Sequence, residues 1–536
     1  MQAFGLSCQG GLNTNLNQFQ MLQQPGFATE LQNFEVDPDG GYRRINGYTL
    51  YGGSSAARPN SSNPILGLFV YADGVIAASG TNLYFTLDGT SWVQINRSSV
   101  SGSGDNYSTF TGRSTATRTS QSYANFTLFE GNTTYGEVVI TDKGSGVKPA
   151  LFKMTGTGDS LSDRTFFYEE ITVSGTHYPK FCTIHDKHLV VAGAATAPNT
   201  IFYSGTSDIN DFTSTGSGSI VLDDQVVGLK SFRGDLIIFC KNSIYKLVNI
   251  NDSNSIAITP ITKNVGCLDG NSIQEIGGDL IFLSPDGFRL VAGTARIGDV
   301  ELSSVSRQIQ SIVASLASNI GSLVISSAVL RSKSQYRLFY SSGAASTDTA
   351  KGIIGTITPQ GFEWSETIGI QAHGFTSGFD NNSVEQIYHG DKDGYVYNHN
   401  TGNSFNPAGT ETNIDARYKT PNLDFGDAGT LKTLHYTKIS FTPEGTVQPT
   451  LKITYDFDDT NRPQPPNYTL DSIPTPAVFG DSTFNTAVFG ASQDPMARQA
   501  VQGSGHNIAF KIFSQDTNAP YSINGFYVDY RPSGRR

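Results

Sequence analysis

His185 and His188 stand three residues apart in His185-Asp186-Lys187-His188, a spacing that on a helix puts two imidazoles on one face, as a metal pair requires. The next four residues, Leu189-Val190-Val191-Ala192, are an apolar run that suits a strand, so the pair is expected to flank a turn where the rings do not converge. Asp391-Lys392-Asp393-Gly394 begins like a calcium loop but lacks the later glutamate of an EF-hand. It is expected to turn one strand into the next, Tyr395-Val396-Tyr397. Asp456-Phe457-Asp458-Asp459 reads as a solvated strand end rather than a metal site. The cysteines Cys8, Cys182, Cys240 and Cys267 are single and far apart, whereas zinc and redox motifs need close pairs. They are expected to be free, mostly buried thiols.

Thr86-Leu87-Asp88-Gly89-Thr90-Ser91-Trp92 is similar to the Asp-box of sialidases and other propellers, shortened by one residue. There the aspartate caps a turn through backbone hydrogen bonds and the tryptophan packs beneath the blade, a structural role. A sialidase would also need converging arginines and a tyrosine–carboxylate pair. Nothing in the spacing of Arg113, Arg118, Arg233 and Arg289 converges. No nucleophile–base arrangement or phosphate-cradling loop stands out either. The reading is that the chain is not an enzyme, with no catalytic, cofactor-binding or metal residues assigned and no cofactor expected.

The elements that would carry these residues are strands. Only 15% of the 536 residues are charged, while Gly, Ser, Thr and Asn are plentiful, a mixture that suits short strands and tight turns. The 37% hydrophobic fraction rises to about half once the 57 glycines are counted, which is ordinary for a folded chain. No stretch approaches the ~20 apolar residues of a membrane-spanning helix, so membrane insertion is not expected. The opening Met1-Gln2-Ala3-Phe4-Gly5 lacks the basic start and apolar core of a secretory signal. A net charge of −11 without a sizeable basic run argues against gripping DNA, although it is compatible with a conduit past which DNA slides. Only Arg531, Arg535 and Arg536 form a locally basic end.

Residues 1–60 read as a polar N-terminal arm, with helix-compatible residues at 17–24 and a turn at Asp37-Pro38-Asp39-Gly40-Gly41. Over 61–405 short strands recur in sets of four, the number in a propeller blade: 65–71, 75–79, 83–86 and 92–95 make the first. Comparable sets occupy 126–172, 181–212, 220–262, 273–297, 329–364 and 371–397. The fold class expected is therefore all-β, a β-propeller of about seven blades, six or eight being compatible with the drifting period. One amphipathic helix interrupts it: Leu302, Val305, Ile309, Ile312, Val313 and Leu316 recur at three- and four-residue spacing, with Ser303 or Ser304 to cap it and Gly321 to end it. Residues 406–536 carry longer strands, at 415–419, 433–443, 450–457, 507–513 and 523–530, and are expected to form a separate β-rich platform or sandwich. The proline-rich loop at 461–466 cannot belong to a central strand.

Several phrases, in order along most of the chain, resemble the nozzle or hub proteins of short-tailed bacteriophages, also labelled tail tubular or DNA-stabilisation proteins. Gln32-Asn33-Phe34 through Gly40-Gly41-Tyr42-Arg43-Arg44-Ile45-Asn46-Gly47-Tyr48 is similar to their opening pattern, with Asn46 where proline is common. Pro198-Asn199-Thr200-Ile201-Phe202-Tyr203-Ser204, Leu236-Ile237-Ile238-Phe239 with Asn242 to Leu247, Asn264-Val265-Gly266-Cys267 and Asp279 to Gly287 continue the likeness. His389-Gly390-Asp391 and Lys419 to Gly426 complete it. The resemblance implies a virion structural protein: a homo-oligomeric ring, commonly a hexamer, below the portal and adaptor and beside the tail fibres, enclosing the channel through which duplex DNA leaves. It implies assembly in the host cytoplasm and carries no catalytic residues. Two other readings compete with it. One is a carbohydrate-binding or carbohydrate-cleaving propeller, for which the 24 tyrosines could stack on sugars, although tyrosine is also a favoured strand residue. The other is a receptor-binding tail tip that touches the host surface through its loops.

Overall fold

The computed structural model of the chain describes residues 2–38, 40–60, 63–95, 123–130, 134–144, 146–175, 177–291, 304–342, 351–461, 463–471 and 496–535. Short runs of β-branched and aromatic residues, punctuated by Gly, Asn and Asp turns, pair with their sequence neighbours into small antiparallel sheets. The first blade comprises Ile65–Tyr71, Gly74–Ser79, Asn82–Thr86 and Val93–Gln94. The second comprises Ala124–Phe129, Glu137–Asp142, Ala150–Thr155 and Thr165–Glu170. Phe181–His185, His188–Ala194, Ala197–Tyr203 and Gly218–Val221 make the third. Val226–Phe232, Asp235–Cys240, Ile244–Val248 and Ala257–Thr262 make the fourth. Gln274–Ile276, Asp279–Ser284 and Gly287–Leu290 form a blade that is three-stranded among the described residues.

The last blade, Gly374–Phe379, Glu385–Gly390 and Val396–His399, takes its fourth strand from Tyr48–Leu50. Six sheets thus stand as self-contained blades. A further set, Val324–Leu330, Gln335–Ser341, Lys351–Thr358 and Gly361–Ile368, fills the sector between the three-stranded blade and the last one. The chain is a β-propeller.

Two details differ from the sequence reading. The outer strand of the third blade, Gly218–Val221, lies where the pattern placed the start of the fourth. Tyr48–Leu50, read as part of an arm, closes the ring by pairing Tyr48 with His399 and Leu50 with Tyr397. Three residues are too few for alternation to show which sheet they join; closure of the ring decides it.

Because side chains alternate across each sheet, successive blades pack face to face and each interface holds its own apolar cluster. Leu66, Ile76 and Phe85 meet Ile140, Phe152 and Phe166 between the first two blades. Val139 and Leu151 meet Leu189 and Val191 at the next interface. Val190 and Ile201 meet Leu236 and Ile238 at the one after, and Ile237 and Phe239 meet Leu280 and Phe282 at the fourth. Ile65 and Val75 meet Tyr388 and Val396 between the first and last blades, but the 324–368 sector does not close off in this way. One large core joins the 324–368 set to the residues beyond 406.

The expected strands of the C-terminal part are present as Ile414–Lys419, Thr430–Pro443, Thr450–Tyr455, Ile508–Asp516 and Tyr521–Arg535. They are not a separate body. The 324–368 set continues through Glu30–Gln32 into Ile414–Lys419, Ile508–Asp516 and Thr450–Tyr455 as one nine-stranded sheet. Facing it is a seven-stranded sheet in which Tyr521–Arg535 takes Gln2–Ser7 and Tyr42–Arg44 as partners. Residues 1–60, expected as an arm, are therefore divided between platform sheets and the closing blade. Within the helix-compatible 17–24 lies a short helix, Gln18–Met21, with an Asn17–Gln20 capping box.

The amphipathic connector is shorter than its pattern. A 3₁₀ turn at Arg307–Ile309 leads into a helix at Gln310–Ser318, with Ile309, Val313 and Leu316 buried. No side chain caps it: Ser306 Oγ accepts from Phe288 N at 2.9 Å instead, and the helix ends at Asn319 rather than Gly321. Leu302 and Ser303 lie outside the described residues. Trp364 pins this connector, stacking on Phe288 with ring centroids 5.1 Å apart and donating from Nε1 to the Val305 carbonyl at 2.8 Å.

Candidate functional site

The residues singled out in the sequence are mostly turn-makers. Asp88 Oδ1 accepts from Thr90 N at 2.9 Å and Ser91 N at 3.3 Å, and Trp92 sits against Tyr51 at 6.4 Å between centroids. Asp391 Oδ1 accepts from Asp393 N and Tyr395 N, both at 2.9 Å, and Oδ2 from the Tyr397 hydroxyl at 2.7 Å. With those bonds made, it turns Glu385–Gly390 into Val396–His399. Asp456 caps a strand end by accepting from His506 N at 2.7 Å, and Asp458 faces Lys452 at 3.8 Å.

His185 and His188 are direct partners across a hairpin whose turn residues, Asp186 and Lys187, both have positive φ. The pairing puts their side chains on one face, closer than the sequence implied. Their nitrogens nevertheless serve different partners: His185 Nδ1 meets Ser231 Oγ at 2.9 Å, and His188 meets the Ser204 carbonyl at 2.6 Å and Asn251 Oδ1 at 3.0 Å. Arg289 is held by Asp286 within its own turn, while Arg233 bonds the Gly278 carbonyl; Arg113 and Arg118 lie outside the described residues. All four cysteines are free thiols, each pushed up to about 12 by burial. Among the described residues no group of three metal-ligating side chains converges.

What the structure does bring together is a buried ionic cluster where propeller and platform meet. Glu35, on the Phe34–Val36 strand, receives three cations. Arg337 reaches its Oε2 at 2.8 Å, while Arg43 and Lys333 each reach Oε1 at 2.7 Å. Gln335 Nε2 donates to Oε2 at 3.1 Å. The side chains of Arg337 and Glu35 are only 1% and 3% exposed, so water does little of the solvation. Burial alone would raise the Glu35 carboxyl; the charges of Lys333, Arg337 and Arg43 outweigh it and hold the group at about 2. Lys333 is pushed down to about 8 by burial, with Arg337 and Arg43 adding to the effect and Glu35 opposing it.

Arg337 also donates to His399 Nε2 at 3.0 Å, and His399 Nδ1 lies 3.2 Å from His389 Nδ1. Both imidazoles are kept neutral by burial, His389 down to about 3. Tyr48 of the closing strand packs edge-on to His389 at 4.7 Å and stacks on Phe405 at 5.3 Å. Gly47 precedes it because a Cβ there would lie 1.8 Å from the Ser404 carbonyl oxygen.

Adjacent residues on a strand face opposite ways, and Arg43-Arg44 uses both. Arg43 turns to Glu35 and Glu444; Arg44, fully buried, donates to the Asn518 and Asp516 carbonyls, both at 2.6 Å. Such a cluster sets geometry more than it adds net stability, since burying each charge costs about what pairing returns. Glu35, Lys333, Arg337, His389 and His399 were not assigned from sequence. The one signal was the Arg43-Arg44 pair, already prominent in the opening phrase.

A second feature is the cavity on the propeller axis, ≈ 250 Å³, to which the first strand of every sector, or the residues leading into it, contributes. No family model matches the chain, and no curated protein matches it. Among solved structures it is similar to the extracellular domain of a putative one-component system from B. thetaiotaomicron, at 9% identity and TM-score 0.40. That match covers 82% of this chain but 56% of the other, so the chain spans little over half its length. It is also similar to an exo-β-1,3-galactanase from Phanerochaete chrysosporium, at 8% identity, 91% and 100% coverage, and TM-score 0.27. The Neurospora crassa Pan2 WD40 domain matches at 8% identity, 66% and 94% coverage, and TM-score 0.33. Likenesses this slight carry no argument about function, and the propeller assignment stands on the strand pairing itself.

Proposed function

We propose that this chain is a structural subunit of a tailed-phage nozzle ring, one of several identical copies, six in the simplest case, around the channel by which duplex DNA leaves. The observation that carries the reading is the use made of residues 30–50, where the family-like opening phrase lies. They extend a propeller sheet into the platform, supply Glu35 and Arg43 to the buried cluster, and close the ring of blades. That coupling makes one stiff unit of two β-rich parts, which suits a part that holds shape while DNA moves past it.

In a closed ring each copy offers one surface to the next, and exposed sheet edges are covered by the neighbour. The Met496–Ala500 strand, at the edge of the seven-stranded sheet with Met496 exposed, suits such a contact. A net charge of −11 suits a wall that does not retain phosphates. On this reading the partners are the adaptor and portal above and the fibres beside, and the protein needs no cofactor. The test is a cryo-EM map of the assembled particle. Density for this chain as a ring on the DNA axis supports the proposal. Finding it in the shell, in peripheral fibres or outside virions overturns it.

A further inference from the structure

We propose that the axial cavity of the propeller binds a small oxyanion of the phosphate or sulfate class, with the Lys230 ammonium as its counter-charge. The inference is independent of the nozzle reading. None of the residues lining the cavity is an aspartate or glutamate, and Lys230 is the one lining residue with a permanent charge. It sits on the Val226–Phe232 strand, and its ammonium makes no ion pair or hydrogen bond among the described residues. Burial pushes its ammonium down; Glu275 and Arg331, the charges acting on it, oppose each other. A cation taken partly out of water with no carboxylate in direct contact is costly, and a bound anion is the direct remedy.

Donors surround the same space. Thr183 and Ser326 are buried, and their hydroxyls have no hydrogen-bond partner among the described residues. His373 also lines it but is 1% exposed, its Nε2 meeting Ser341 Oγ at 3.1 Å, so it supports the wall rather than reaching the ligand. Asn125 and Asn271 each commit one amide hydrogen to a backbone carbonyl, of Lys180 at 2.8 Å and of Ile325 at 2.9 Å, leaving the other to give. These groups come from different blades, so an anion among them would also tie the inner strands together. The ≈ 250 Å³ accommodates a tetrahedral oxyanion. A metal cation would find no carboxylate, and a neutral sugar would leave the ammonium unpaired.

The experiment is calorimetric titration of the full chain with inorganic phosphate in low-chloride buffer, followed by competition with sulfate. One saturable site per chain is expected, with sulfate displacing phosphate. Lys230→Met should weaken binding by about tenfold or more, and Lys230→Arg should keep it within about threefold. If Lys230→Met does not fold, Thr183→Val and Ser326→Ala serve in its place, each with a smaller loss. Absence of saturable binding by the wild-type chain, or undiminished binding by Lys230→Met or by both hydroxyl variants, overturns the proposal and leaves a water-filled cavity.

Discussion

Residues 65–262 and the later part of the chain, joined by residues 2–50, use the same short strands and tight turns but keep their charges in different places. In the first four blades ion pairs such as Lys246–Asp235 and Lys153–Glu137 lie on blade surfaces, with side chains 38% and 27%, and 31% and 16%, exposed. Each interface between those blades is apolar and self-contained. At the seam between the 324–368 set and the platform, one buried carboxylate gathers three cations against the largest core, Arg337 fully buried and Arg43 and Lys333 partly so. An apolar interface between similar blades is permissive about what lies beside it, whereas a charge cluster tolerates one arrangement. The chain thus repeats a simple unit where blades need only stack, and introduces a specific device where a dissimilar part must join.

The sharpest way to break this comparison is to remove the shared carboxylate. Glu35→Ala leaves Lys333 and Arg337 without their carboxylate, and Arg43 with Glu444 alone, and should cost about 3–5 kcal/mol in urea unfolding. Lys246→Ala, on a blade surface, should cost under about 1 kcal/mol. Equal losses would mean that the seam is no more specific than a blade.

Acid should act in the same order. His389 and His373 have folded-state values lowered to about 3 and about 4 by burial. Below an unfolded value near 6.5 the unfolded chain binds more protons, so stability falls as pH drops through the window between the two values. By pH 5 the loss is roughly 2 kcal/mol for each imidazole. The Glu35 contribution is retained over that range, because a carboxyl held at about 2 loses its stabilisation only as pH falls from about 4.5 towards 2. A pH titration of the unfolding midpoint checks both windows; a flat profile from pH 7 to 5 would contradict the buried neutral imidazoles.

The smallest effect belongs to the first blade. Asp88→Ala removes one turn cap and should cost about 1 kcal/mol, read as a small shift in the same unfolding curve. A larger loss would give the shortened Asp-box a wider role than its local bonds provide.

The strand-rich pattern was legible over most of the chain, because alternation and turn residues are local properties. The first-blade strands, the Asp88 and Asp391 turns and the long platform strands fall close to where their residues placed them. The closing strand was not legible, since Tyr48–Leu50 is short and its partner lies some 350 residues away. The seam was not legible either. Glu35, Lys333, Arg337 and His399 are scattered polar residues, and nothing local distinguishes them from solvated ones.

By itself, then, the sequence determined the kind of unit, a short antiparallel strand set with capped turns, because side-chain alternation and turn chemistry act within a few residues. The tertiary structure alone decided where the ring closes, that one propeller sheet runs on into the platform, and which charges leave water. Those outcomes depend on contacts between distant residues, and the desolvation that makes a buried charge specific exists only once the surrounding core has formed.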